Sequence, residues 1–306
     1  MPISWQQIVS FIRLSRPLHL LGGILFYGLG VAIADYLGRP LDLTTYILGQ
    51  ILILCIQLMA QYLNEYANSE SSTNVENRFQ LPFTGGNVLG SAGLPRRVPL
   101  YAAAFSLTLV ACVILLMIFN LEVPWLAWGL LVLIFLGAFL YDLKPFNLAT
   151  SGYGEITMSF ITAGLVPAFA YAIQTGEIHR FILMSCTPLV ALTFAALIAF
   201  ELPNFASDSK FGRRNLLLRV NWPTAMRLHD IAILFAVVSI ILAFFLGMPR
   251  RVALGTLIAL PLVAAQLWQM DRIRQGYPAR WRTLTLSAIA LIGLTTYLEI
   301  IGYLLS

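Results

Sequence analysis

The sequence predicts an all-α integral membrane protein, nine transmembrane helices around a central cavity, with the N-terminus in the cytoplasm. Three observations carry that expectation. First, 59% of the 306 residues are hydrophobic and only 11% are charged, with a mean hydropathy of +0.81; a soluble domain carries about 25% charged residues. Second, apolar runs recur at the length of a bilayer crossing, about 20 residues. They lie at 17–38, 44–66, 98–119, 123–141, 153–174, 180–203, 226–247, 252–270 and 283–304, the fourth and eighth being the shortest. In lipid such runs form helices, because every backbone N–H and C=O needs an internal partner. Third, the cations segregate. With the N-terminus inside, Arg39, Arg180, Arg250 and Arg251 fall outside, and the other 15 of the 19 Lys and Arg fall inside, as the positive-inside rule requires. An odd number of crossings puts the C-terminus outside.

Residues 1–306 therefore read as one transmembrane domain of a multi-pass protein, expected in a bacterial inner membrane. The +5 net charge reflects loop Lys and Arg and sets topology; no nucleic-acid partner is expected. Before the first run, Ile3, Trp5, Ile8, Phe11 and Ile12 share one face of an amphipathic helix suited to the membrane surface. Nothing here has the form of a cleavable signal peptide, since the first run is too long for an h-region. Gly22, Gly23 and Gly28 in the first span suit close helix approach. In the second span Gln57, Gln61 and Asn64 follow at about one turn each, so they share a face that can line a cavity. Cys55, Cys112 and Cys186 sit in apolar runs as packing residues. Trp125, Trp128, Trp222 and Trp281 lie near span ends, where Trp anchors at the interface. Glu155 is expected to cap its own helix N-terminus, His229 and Asp230 to bond locally, and Glu299 to reach the outer headgroups. The spans carry no clear Gly or Pro breaks in paired positions, which argues against a transporter.

Two polar breaks interrupt this pattern, at 64–97 and 201–222, each after an even-numbered span and both on the cytoplasmic side. The first begins Asn64-Glu65, with Asn68 and Ser72 following at four-residue steps; the second runs Glu201-Leu202-Pro203-Asn204 to Asp208. Four-residue spacing stacks side chains on one helical face. Two such faces opposed at a bundle mouth give converging oxygen ligands for Mg²⁺. Arg78, Lys210, Arg213 and Arg214 lie nearby and suit a diphosphate, above an apolar cavity suited to an isoprenoid chain. The plainer alternative is that Asn64 and Asp208 cap helices and that the cations meet lipid headgroups.

The chain resembles the UbiA superfamily of intramembrane prenyltransferases, and within it the members that prenylate dihydroxynaphthoate in menaquinone synthesis. The matching pieces are Asn64, Asn77-Arg78, Pro82-Phe83-Thr84-Gly85-Gly86, Tyr141-x-x-Lys144-Pro145, Gly152-x-Gly154-Glu155, Gln174-Thr175-Gly176, and Glu201-Leu202-Pro203-Asn204 through Asp208, Gly212-Arg213-Arg214 and Leu218-Arg219. The resemblance implies Mg²⁺-dependent ionisation of a prenyl diphosphate, followed by attack of an aromatic or quinone-like acceptor. Carried over by position, Asn64, Asn68, Asn204 and Asp208 form the catalytic set. Asn64, Glu65 and Asp208 are the metal candidates, and Arg78, Lys210 and Lys144 the diphosphate candidates. Departures are as clear as matches. Asn68, Ser72 and Asn204 stand where the family has Asp, and Ala149 and Ser151 where it has Lys and Arg. Amide oxygens are neutral ligands, so a metal site here is short of charge. Two functions follow from the sequence: an active Mg²⁺-dependent prenyltransferase, or a degenerate homologue without a metal cofactor. The latter would bind a quinone, pigment or lipid, within the membrane or in a larger membrane complex.

Overall fold

The computed structural model describes residues 5–72, 79, 94–141, 147–210 and 215–306, the side chains of 68–72 and 150 excepted. Every element in them is helical. Helix α1, Trp5–Leu14, turns Trp5, Ile8, Phe11 and Ile12 outward and buries Leu14, as expected of a surface-lying helix. Next come α2 (Pro17–Tyr36), α3 (Leu43–Ser72), α4 (Val98–Asn120), α5 (Trp125–Leu140), α6 (Gly154–Phe160), α7 (Val166–Thr175) and α8 (Arg180–Glu201). Two short helices, α9 (Phe205–Lys210) and α10 (Leu216–Val220), carry the second polar break. The chain ends with α11 (Trp222–Phe245), α12 (Arg250–Gly255), α13 (Leu260–Arg274) and α14 (Trp281–Leu304).

Eight helical units among the described residues are long and apolar enough to cross a membrane, with α6–α7, α8–α9 and α12–α13 each counting as one. Helix α5 stands where the fourth crossing is expected but has 16 residues, or about 24 Å at 1.5 Å per residue against a core of about 30 Å. Two crossings carry irregular turns that the sequence reading left continuous: a π turn at Ile161–Leu165 and a 3-10 turn at Thr256–Ala259. Each lies just ahead of a proline, Pro167 or Pro261. Proline lacks the N–H that the i→i−4 ladder needs, so the turn before it changes register.

Helix α2 packs against α7 and α14, α3 against α4, and α8 against α11 and α14. The main core gathers Phe26, Tyr27, Leu29 and Ile33 of α2 with Ile56 and Met59 of α3 and Phe169 and Tyr171 of α7. The tightest approach involves Gly30, where an added Cβ would overlap the Pro167 carbonyl and lie 2.8 Å from the Ala170 Cβ. Gly22, by contrast, has open space around it. At the opposite end from the polar breaks, the Gln174 amide clasps the backbone of Asp42: Asp42 N donates to Oε1 at 3.1 Å and Nε2 donates to Asp42 O at 3.2 Å. The Asp42 carboxylate in turn accepts from Thr45 N at 2.7 Å and from Thr45 Oγ1, starting α3.

Glu299 does not reach the headgroups. It is fully buried, because α14 turns the face bearing Leu291, Thr295, Thr296, Glu299 and Tyr303 into the bundle. His229 and Asp230 do bond locally. His229 Nδ1 lies 3.0 Å from Asp230 Oδ1, His229 Nε2 lies 3.2 Å from Gln266 Oε1, and Arg274 pairs with Asp230.

Two outcomes follow from this packing. Gly30→Ala forces α2 off α7 and is expected to destabilise the protein by about 1–3 kcal/mol, read as a lowered unfolding temperature in detergent. The hydrogen bonds from the Thr45 side chain and backbone hold the Asp42 carboxyl below its ordinary value. Its contribution is therefore present above the unfolded carboxylate range and lost as pH falls through the lowered value. Asp42→Asn is expected to flatten that acid limb of the stability–pH curve, leaving the neutral side unchanged in slope.

Candidate functional site

A cavity of about 350 Å³ opens between α2, α3, α5, α6, the π turn, α8 and α14. Its walls are largely aliphatic and aromatic, with Phe26, Ile53, Ile134, Val166 and Ile292 among them. Arg16, Asn64, Tyr141 and Phe200, all near helix ends, stand at one end of it. Gln57, Gln61 and Asn64 line it together, as their spacing requires.

Arg16 organises that end. It is the residue before α2, with Pro17 at the first helical position, and its backbone is left-handed at φ 45°, ψ 66°. A non-glycine residue held there costs about 1–3 kcal/mol and persists only where its surroundings demand it. The result is that Arg16 Nη2 reaches back to Asn64 Oδ1 at 3.2 Å and Glu65 Oε2 at 3.3 Å. Glu65 is 7% exposed and the Arg16 side chain 22%, so this is a partly desolvated pair. Around it several buried polar atoms lining the cavity lack a hydrogen-bond partner: Arg16 Nε, His19 Nδ1, Gln57 Oε1, Gln61 Oε1 and Thr193 Oγ1. The Gln57 orientation is fixed, because its Nε2 donates to the His19 carbonyl at 2.7 Å. Unpartnered polar atoms are uncommon in protein interiors, and five of them facing one cavity give it sites where a polar group or water can be received.

The second break is built differently. Asn204, 7% exposed, ends the 3-10 turn Leu202–Asn204 and grips one backbone residue of the first break. Its Oδ1 accepts from Phe79 N at 2.9 Å and its Nδ2 donates to Phe79 O at 3.3 Å. An ionised aspartate only accepts and could not make the second bond. Asp208, 2% exposed on α9, accepts from Asn215 Nδ2 at 3.2 Å. Asn215 starts α10, and its Oδ1 accepts from Leu218 N at 3.0 Å. Glu155 Oε1 accepts from Leu216 N at 3.1 Å. Two N–H groups of α10, those of Leu216 and Leu218, are thus taken by side chains from α6 and from the residue before α10. The expectation that Glu155 caps its own helix is corrected: Tyr153 stands at that cap, without a side-chain bond, and Glu155 turns to α10 instead. The start of α10 is buried, so its N–H groups have no water to turn to. Arg219 links the loop between α5 and α6 to this assembly, donating to Ser151 O and Tyr153 Oη at 2.8 Å each.

Of the sequence-predicted site residues, Asn64 lines the cavity and Glu65 is joined to it through Arg16. Asn204 and Asp208 are buried in the second break, and Lys210 is exposed at the end of α9. The Asn68 side chain, Arg78, Lys144, Gly85, Gly86, Arg213 and Arg214 lie outside the described residues. Among the described residues, no three His, Cys, Asp or Glu side chains converge as a metal cage. Sequence reasoning missed Arg16, His19 and Asn215. A cation directly before a proline that opens the first span, and an Asn three residues before Leu218, are the signals that could have found the first and last.

The UbiA prenyltransferase family matches residues 23–292, and the chain belongs to that family. Among solved structures, a digeranylgeranylglyceryl phosphate synthase is similar at 15% identity and TM-score 0.64, covering 97% of each chain. A UbiA homologue from Archaeoglobus fulgidus, bound to GPP and Mg²⁺, is similar at 12% identity and TM-score 0.67, over 95% of this chain and 99% of that one. The apo form of a UbiA homologue from Aeropyrum pernix K1 is similar at 12% identity and TM-score 0.58, over 97% and 98%. At these identities the likeness is one of fold. No curated protein matches the chain.

Glu155→Ala strands the Leu216 N–H in a buried site and is expected to cost about 1–3 kcal/mol. Amide hydrogen exchange across 215–220 would quicken accordingly. Glu155→Gln keeps an acceptor oxygen and is expected to retain most of the protection.

Proposed function

We propose that this UbiA-family protein seats an isoprenoid chain in its apolar cavity, with the diphosphate head at the Arg16–Asn64 end, and transfers the chain to an aromatic or quinone-precursor acceptor. The observation that carries the proposal is the cavity itself: aliphatic walls between the helices of the bundle, polar atoms in want of partners, and a guanidinium at one end. In such a transfer the allylic C–O bond breaks, diphosphate leaves with the electron pair, and an acceptor ring carbon attacks the cationic chain before losing its proton. The chain's own residues would serve this in stated ways. Arg16 and Lys210, joined by Arg78 and Lys144, would neutralise the leaving diphosphate. Apolar walls such as Ile53, Val166 and Ile292 would keep water from the allylic cation. The protein would sit as a multi-pass protein in a bacterial inner membrane, N-terminus inside, as the cation asymmetry favours.

Mg²⁺ is the cofactor that the resemblance implies, with Asn64, Glu65 and Asp208 as its ligands. The described donors do not fit it as they are arranged. Arg16 engages Asn64 and Glu65, Asn215 engages Asp208, and the Phe79 backbone engages Asn204. No step is therefore routed through the metal. The same arrangement favours a second reading, that of a homologue which keeps the lipid cavity without transferring the chain. It would serve as a quinone-, pigment- or lipid-binding protein, alone or within a membrane complex.

Incubation of the purified protein with geranylgeranyl diphosphate, dihydroxynaphthoate and Mg²⁺ decides between them. Prenylated product with diphosphate release supports the transferase, and tight binding without release supports the second reading. Absence of both binding and release overturns both. Restoring Asn68→Asp and Asn204→Asp together is expected to raise release in the transferase case, despite the lost donor to Phe79.

A further inference from the structure

A divalent ion on Asn64 and Glu65 would sit about 2.1 Å from their oxygens. Arg16 Nη2 already lies 3.2 and 3.3 Å from Asn64 Oδ1 and Glu65 Oε2. Two cations would then lie within a few ångström in a largely apolar mouth, where their repulsion is poorly screened. Guanidinium stays charged and cannot yield by losing a proton. The fork offers five N–H donors, and the bonds to Asn64 and Glu65 use Nη2 alone. Nε is buried on the cavity wall without a partner, and His19 Nδ1, three residues on along α2, is in the same state. The left-handed backbone at Arg16 holds this arrangement against local strain.

We propose that Arg16, with His19 beside it, is the resident receptor for the anionic head of an isoprenoid phosphate or diphosphate, and that head-group binding here requires no divalent ion. The proposal rests on the reading that the cavity takes an isoprenoid chain. Glu65 and Asn64 hold the guanidinium by one edge and leave the remainder to the ligand. The role that a metal bridge would play between protein oxygens and phosphate oxygens falls to a fixed side chain.

Equilibrium binding to the full-length protein in detergent tests this, with labelled geranylgeranyl diphosphate in excess EDTA and in saturating Mg²⁺, and labelled geranylgeraniol as the neutral probe. The diphosphate is expected to bind in EDTA within about threefold of its affinity in Mg²⁺, whereas a loss of about tenfold or more in EDTA overturns the proposal. Arg16→Gln is expected to weaken diphosphate binding by about tenfold or more and geranylgeraniol binding by no more than about twofold. Unchanged diphosphate binding in that variant overturns the assignment to Arg16. Should Arg16→Gln not fold, Glu65→Gln serves. It removes the anion competing for the guanidinium and is expected to tighten diphosphate binding in EDTA by about threefold, and unchanged or weakened binding counts against the proposal. If geranylgeraniol binds and the diphosphate in EDTA does not, this inference alone falls. If neither probe binds under any condition, the cavity reading falls with it.

Discussion

A polar atom in an apolar bundle as thick as a bilayer must find its partner within the protein or from a ligand, and that constraint arranges the structure around the cavity. At several places away from it, the requirement is met by side chains used as substitutes for backbone. Gln174 closes a two-bond clasp on Asp42 at one end of the bundle, and Asn204 closes another on Phe79 at the other. Glu155 and Asn215 receive two N–H groups at the start of α10. At the cavity, Arg16, His19, Gln57, Gln61 and Thr193 each keep an atom unmatched among the described residues.

Polar side chains of the second break take on structural meaning here. At position 204 an amide both donates and accepts, so it can hold the first polar break against the second; a carboxylate would meet the Phe79 carbonyl with repulsion. Asp208 remains, held by an Asn that also starts α10, so its position is tied to the helix that follows it. Arg219 binds the loop where Ala149 and Ser151 stand, joining it to the second break. The polar end of the bundle is in this way cross-braced by neutral and charge-assisted hydrogen bonds among its own loops.

Much of the fold was legible in the sequence. Run length and composition marked nine runs, eight of which are helical units long and apolar enough to cross a membrane among the described residues and the fourth of which is the shorter helix α5; the one-turn spacing of Gln57, Gln61 and Asn64 put them on one cavity wall. Such features are local: they depend on period and length along a single segment. Where the reading went astray, the answer lay in a distant segment. Glu299 looked like an end-of-helix residue, but the rotation of α14 against α2, α8 and α12 buries it. Glu155 looked like a cap for its own helix, but the buried start of α10, about 60 residues further on, makes the stronger demand. The π turn and the 3-10 turn were signalled by Pro167 and Pro261, yet which carbonyls re-pair around a proline depends on the neighbouring helices.

The sequence by itself determined a helical membrane bundle with two polar breaks that carry amides beside carboxylates. Composition and period suffice for that, because the bilayer leaves few alternatives to a helix. Only the tertiary structure decided what those side chains do. Arg16 lies 48 residues from Asn64 along the chain, and its bond to that side chain arises from a left-handed turn before Pro17 and the packing of α2 beside α3. Contacts of that kind are set by how helices meet in space, and no spacing along one segment encodes them.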